Sequence, residues 1–248
     1  MRVNFLWIGD SIGKMEQLTL KSFLDHGHES VLWAYNTKLA NVPAGVQVQD
    51  AREIIPEDRV FSYTGTGDCR KGSYGGFSDI FRYYLLLKIG GWYCDMDVTC
   101  LNSFEEIDKS HELLFRPHVK TELVGNIMKT PKGCKVMEDC IVETEKVINT
   151  DNNSWIRPVE ILRDVVLKHN MRQHICPVTW FGDDNSHMLL KYVATSFVTR
   201  DTELPKYAIH WCNEAISTGR WNKQLKRSWN EPIPTTLFYN LLKKHNLL

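Results

Sequence analysis

The chain has 248 residues, with 30 basic against 30 acidic side chains, nine His, 43% hydrophobic and 24% charged residues. These are globular proportions, sized for one large domain or one domain with a small appendage. They exclude an uninterrupted apolar span of the ~18 residues a membrane helix needs. They also exclude a global pull toward nucleic acid and, with seven Cys and no C-x-x-C pair, a disulfide framework. The apolar stretch inside Met1 to Asp10 is too short for a signal peptide, so a reduced, cytoplasmic protein is expected.

In chain order, Val3 to Ile8 reads as a buried first strand. Asp10-Ser11 offers a cap for a helix carrying Met15, Leu18, Phe23 and Leu24 and ending at Gly27. Val31 to Tyr35 reads as a second strand. Strand, helix and strand within 35 residues argue for a parallel α/β sheet. Residues 62–76 hold Gly65, Gly67, Gly72, Gly75 and Gly76 among Asp68, Arg70, Lys71 and Tyr74. They read as a mobile loop or lid, and the order is not that of a nucleotide P-loop. Ser78 or Asp79 then caps a helix with a wide apolar face through Ile80, Phe81, Tyr84, Leu85, Leu87 and Ile89. Gly90-Gly91 ends it, and Trp92-Tyr93-Cys94 has strand composition. Further on, Glu112 to Phe115, Leu123 to Met128 and Tyr207 to Cys212 read as strands. Cys134 to Ile148 and Val159 to His169 read as helices.

The chemistry concentrates after Cys94. In extended chain, Asp95 and Asp97 project to the same side. Two such carboxylates repel, and one takes up a proton unless a cation intervenes. Mg²⁺ or Mn²⁺ commonly binds one or two carboxylates together with substrate phosphates. The alternative is a turn with two solvated acids, but the apolar strand before the pair puts it at a sheet rim, where ligands of α/β proteins collect. Asp79 and Arg82, three apart, share a helix face. They are either a surface ion pair or a phosphate-facing guanidinium beside a carboxylate that accepts sugar hydroxyls. Trp7 and His210 each fit a packed core position as well as a ligand contact. Asp183-Asp184, after Trp180-Phe181-Gly182, is a loop carboxylate pair, either a solvated turn or an acceptor-side or catalytic group.

The run from Ser78 to Asp97 resembles the signature S-D-x-x-R-Y-x-x-L-x-x-x-G-G-x-Y-x-D-x-D of family 32 glycosyltransferases, shared with the catalytic domains of large glucosylating bacterial toxins. Phe5-Leu6-Trp7-Ile8-Gly9 is similar to the family's opening strand. Leu123 to Gly133 is similar to its N-x-I-M-A-x-x-G segment, and Tyr207 to Trp211 with Gly219-Arg220-Trp221 to its closing one. Arg157-Pro158 and Gly219-Arg220 depart from the pattern in regions that bear on acceptor and sugar. The resemblance implies an α/β GT-A fold, with residues 1–221 as catalytic domain and 222–248 as a basic amphipathic extension packed on it. It implies a retaining glycosyltransferase using Mn²⁺ or Mg²⁺ and a nucleotide-sugar, UDP-sugar favoured, with a glycan, lipid-linked glycan or other hydroxyl as acceptor. Asp95 and Asp97 would hold the metal and diphosphate, with His210 completing the shell. Arg82 and Asp79 would contact phosphate, ribose or sugar, and Trp7 would stack on the base. Ile8 and Met96 would flank the nucleotide, and Asp184 would join Asp95, Asp97 and Arg82 in catalysis.

Residues 219–248 carry Arg220, Lys223, Lys226, Arg227, Lys243 and Lys244 against Glu231 alone. Three readings compete: a docked terminal helix with a solvated basic face, a patch for anionic membrane carrying a lipid-linked acceptor, and a nucleic-acid footprint with hydroxylated bases as acceptor in a viral enzyme. No obligate protein partner is evident. A non-catalytic nucleotide-sugar-binding protein and a diphosphate hydrolase are the readings from other classes. The first has no need of the acid pair, and the second ordinarily uses further clustered acids.

Overall fold

The computed structural model describes residues 1–182, 184, 186–193, 204–217 and 228–248. The expected Asp183 and the segment Gly219-Arg220-Trp221, with the bases Lys223, Lys226 and Arg227, lie outside them. The strands are β1 (Arg2–Trp7), β2 (Glu29–Ala34), β3 (Gln47–Asp50), β4 (Gly91–Cys94), β5 (Val98–Cys100), β6 (Leu114–His118), β7 (Glu122–Thr130) and β8 (Ala208–His210). The helices are α1 (Lys14–Asp25), α2 (Gly75–Lys88), α3 (Glu105–Ser110), α4 (Lys135–Val147), α5 (Ile156–Lys168), α6 (Val178–Phe181), α7 (Ser186–Val193), α8 (Asn213–Ser217) and α9 (Leu237–Lys244).

Six strands form one sheet in the order β3-β2-β1-β4-β7-β6. β1 to β4 are parallel, and β7 is antiparallel to both of its neighbours. From β1 the chain steps outward through β2 and β3, then returns to β4 on the other side of β1. That reversal opens a crevice beyond the carboxyl ends of β1 and β4, where doubly wound sheets bind ligands. A second, two-stranded ladder pairs β5 with β8, with Val98 opposite His210.

The central strands β1, β2 and β4 are near-continuously apolar and buried, as the inner strands of a parallel sheet require. One face packs Phe81, Leu85 and Leu86 of α2 with Val136 and Cys140 of α4 and Leu162 of α5. The other packs Leu20 and Phe23 of α1 with Phe104, Ile107 and Phe181. Each fully buried side chain of this size contributes roughly 1.5–3 kcal/mol. Asn4 is buried between three strands: its Nδ2 donates to the Trp92 carbonyl at 2.9 Å, and its Oδ1 accepts from Trp33 Nε1 at 3.0 Å. A third cluster docks α9 onto α1 through Met15, Leu18, Trp211, Trp229, Phe238 and Leu242, and His245 Nδ1 meets Asp25 at 2.7 Å. None of the seven cysteines is in a disulfide. Among the described residues no helix is long and apolar enough to cross a membrane.

Four expectations are corrected. Helix α1 is capped at Gly13, whose N–H donates to Glu16 Oε2 at 2.8 Å, rather than at Asp10-Ser11. Helix α2 begins at Gly75, one turn before Ser78 and Asp79. Gly76 marks a close approach rather than a loop, since a Cβ there would sit 2.3 Å from the Tyr63 hydroxyl. The glycine-rich segment is folded: Tyr63 and Cys69 are buried, and Thr64 and Asp68 donate their N–H groups to Thr150 and Asn153 at 3.0 Å. Finally, Asp95-Met96-Asp97 forms the turn between β4 and β5, so the pair is not in extended chain.

Candidate active site

At this turn each acid meets its own cation. Helix α2 aims Arg82 across the Tyr93 ring, with the guanidinium carbon 5.1 Å from the centroid. Its Nη1 lies 3.1 Å from Asp79 and its Nη2 3.0 Å from Asp95. Nη2 also donates to Ser78 Oγ at 3.3 Å. The space for this guanidinium exists because β7 has a glycine beneath it: a Cβ at Gly125 would lie 2.9 Å from Arg82 Nη1. The Asp95 N–H donates to the Asn126 carbonyl at 2.9 Å, which fixes the turn to β7.

Asp97 is held from the other side. Because β5 pairs with β8, His210 arrives beside it from 113 residues away, with Nε2 3.3 Å from Oδ1. The Asn213 N–H at the start of α8 donates to Oδ2 at 2.9 Å, and the Trp211 N–H to the Asp97 carbonyl at 2.9 Å. The other ring nitrogen of His210, Nδ1, lies 2.8 Å from Asp184 and 3.3 Å from Cys212 Sγ. Asp184 is also gripped by Arg116, with Nη1 to Oδ2 at 2.8 Å and Nη2 to Oδ1.

The electrostatics differ between the halves. Burial pushes Asp79 up to about 6, with Arg82 pulling back and Asp95 adding to the rise. Asp95 is raised by burial, against Arg82 and with Asp97. Burial also opposes the charge of Asp97, yet His210 and the Asn213 N–H bring it below the ordinary carboxylate range. Asp184, likewise buried, is held well below that range by Arg116 and His210. Burial disfavours a charged His210, but Asp184 and Asp97 raise it well above an ordinary imidazole. His210 thus lies between two carboxylates, both of which favour its protonated form.

These groups share one cavity of about 530 Å³, lined by Asp79, Arg82, Asp95, Asp97, Asp184 and His210. Its outer wall includes Arg70 and Ser73 of the glycine-rich segment, Lys120 of the β6–β7 turn and Trp155. Trp7, Ile8 and Met96 do not line it. Trp7 is half-buried at the end of β1, its Nε1 donating to the Ser11 carbonyl at 2.9 Å. Ile8 packs against the helix-α2 face of the core. Met96 is buried in the other cluster, and its carbonyl accepts from Thr19 Oγ1 at 2.9 Å. Sequence reasoning passed over Arg116, Asn126 and Cys212, all of which bear on the site. An arginine next to Leu113-Leu114-Phe115 in an apolar strand was the available signal, since a buried guanidinium needs a carboxylate.

A divalent ion suits the donor set of Asp95, Asp97 and His210, two carboxylates and an imidazole facing one cavity. Among the described residues, the three donors that come within 4.8 Å of one another are instead Asp184, His210 and Cys212. Both Asp184 oxygens already face Arg116, however, and a buried guanidinium disfavours a second cation there.

Residues 17–114, which contain α2, β4 and the acid pair, match the family described as the glycosyltransferase sugar-binding region containing the DXD motif. The chain thus carries a glycosyltransferase sugar-binding region, matched over 98 of its 248 residues. Its fold is GT-A: it resembles the galactosyltransferase LgtC solved with donor and acceptor sugar analogues, at TM-score 0.52 and 10% identity over 98% of this chain and 96% of that one. It also resembles the glycosyltransferase GlyE of Streptococcus pneumoniae TIGR4, at TM-score 0.50 and 12% identity over 100% of this chain and 60% of that one. No curated protein matches the sequence.

Proposed function

We propose that the chain is a retaining, metal-dependent glycosyltransferase that moves a sugar from a nucleotide-diphosphate-sugar, UDP-sugar favoured, to a hydroxyl of a glycan or lipid-linked glycan. The observation that carries this reading is the cavity in which Arg82, Asp95, Asp97 and His210 converge at the switch point of the sheet. Asp95, Asp97 and His210 would hold Mn²⁺ or Mg²⁺. When bound, the ion supplies positive charge for the diphosphate leaving group.

The protein's own contribution starts with Arg82. As the bond from the anomeric carbon to phosphate oxygen breaks, negative charge grows on the leaving oxygen. A guanidinium already fixed by Asp79 and Asp95 stabilises that charge without reorganising. Asp79, in the wall of the same cavity, would accept sugar hydroxyls. The glycine-rich wall from Tyr63 to Gly75 screens the cavity and limits loss of donor to water. Retention is read through same-face attack, the acceptor entering on the side the phosphate leaves. Asp79, Asp95, Asp97 and Asp184 are each engaged by a cation, which makes each a poor nucleophile. Trp7 and Ile8, at the carboxyl end of β1, are assigned to the nucleobase side of the crevice. Met96 contributes packing beneath it.

A melting-temperature screen of nucleotide-sugars with Mn²⁺ tests the reading, because a ligand that binds only the folded chain raises the midpoint. Stabilisation by a UDP-sugar that requires Mn²⁺ is expected. Stabilisation by no nucleotide-sugar, with or without the ion, would overturn it.

A further inference from the structure

Arg116 sits on β6 and is 1% exposed. A guanidinium taken out of water must have its donors matched, and this one does. Nε and Nη2 donate to the Phe181 carbonyl at 3.3 and 3.2 Å, and Nη1 donates to Asn126 Oδ1 at 3.3 Å. The fork then closes on both oxygens of Asp184. Asp184 has φ +61°, a left-handed conformation uncommon for a residue with a side chain, and the two-pronged grip holds it there. Apolar residues often replace a buried ion pair without loss of stability, so stability alone gives no reason for this one.

The reason lies one residue further. Asp184 Oδ1 is 2.8 Å from His210 Nδ1, and His210 Nε2 points to Asp97. An imidazole that ligates an ion must present one nitrogen as a lone pair, and the hydrogen bond made by the other nitrogen decides which. The Cys212 thiol at 3.3 Å from Nδ1 is a weak partner by comparison with a carboxylate.

We propose that Arg116 and Asp184 are positioning residues for the metal. Arg116 locks the Asp184 carboxylate, and Asp184 accepts the His210 Nδ1–H. Nε2 is thereby left to donate its lone pair to the ion beside Asp97. Neither residue touches the ion. The proposal rests on the reading of Asp95, Asp97 and His210 as the metal site.

The test titrates Mn²⁺ alone into the full chain and counts unbound ion by its paramagnetic resonance. Asp184→Asn keeps the side-chain shape, and Arg116→Lys keeps the charge while losing the fork. Both are expected to weaken Mn²⁺ by roughly 10- to 100-fold with the melting transition retained in chelator. The charge-conserving Arg116→Lys separates geometry from simple attraction, and it stands as the test by itself if Asp184→Asn does not fold. Wild-type affinity for Mn²⁺ in folded Arg116→Lys overturns the proposal. Absence of Mn²⁺ binding from the wild-type chain overturns the metal reading, and the positioning role with it.

Discussion

The two carboxylates of the acid pair stand two residues apart and are held by opposite means. Asp95 depends on Arg82, thirteen residues earlier on the adjoining helix, and the contact is local and crowded. Arg82 there serves two carboxylates, both pushed upward by burial. Asp97 depends on His210, brought from the far end of the chain by one short ladder. It has a backbone donor in reserve, and its pKa is lowered. One half is a single guanidinium shared by two acids; the other is a chain of alternating charges from Asp97 through His210 and Asp184 to Arg116. Removing a cation should therefore harm the first half more than the second.

The sharpest way to break that contrast is Arg82→Met. It strands Asp79 and Asp95 together and is expected to cost roughly 3–5 kcal/mol of stability by urea unfolding. Next comes Asp97→Asn, which should cut sugar transfer by about 10²- to 10³-fold in a chain that still melts cooperatively. His210→Gln should destabilise less than Arg82→Met, by roughly 1–3 kcal/mol, because Asp97 keeps the Asn213 N–H and Asp184 keeps Arg116. Equal losses in the two variants would erase the distinction.

The pH dependence should set Asp79 of the first half against Asp97 and Asp184 of the second by sign. Asp79 is raised to about 6, so the folded chain keeps a proton that the unfolded chain has released. Its contribution falls as pH rises from roughly 4 through about 6. Asp97 and Asp184 are lowered, so their contribution is present above the ordinary carboxylate range and lost as pH falls. His210 is raised; its contribution is complete below ~6.5 and lost as pH climbs through its folded value. In chelator, Asp79→Asn should remove the decline between pH 4 and 6, and an unaltered urea-midpoint profile would count against it. The smallest effect is Ser78→Ala, which loses Oγ contacts to Arg82 and Tyr93 and about 1 kcal/mol.

The same contrast explains what could be read without coordinates. The Arg82 half is one continuous run from Ser78 to Asp97. Helix periodicity, the Gly-Gly stop and the strand composition after it place its parts in order. The order of β1, α1 and β2 was legible for the same reason. The start of α2 was not, because Gly75 and Gly76 carry a loop signature while Gly76 serves close packing against Tyr63. The fold of residues 62–76 was hidden because its stitching to 150–153 is backbone hydrogen bonding between distant segments. The His210 half was recognisable by resemblance only, since nothing local in the sequence registers Val98 against His210. Arg116 was visible as a charge in an apolar strand, but its partner lay 68 residues away.

The most direct test of the whole account is release of UDP from a set of UDP-sugars, with water or simple sugars as acceptor, by the wild-type chain and by Asp97→Asn. The account predicts release by the wild type with Mn²⁺, loss of that release in chelator, and loss again in a folded Asp97→Asn. Undiminished release in chelator, or from folded Asp97→Asn, would contradict it.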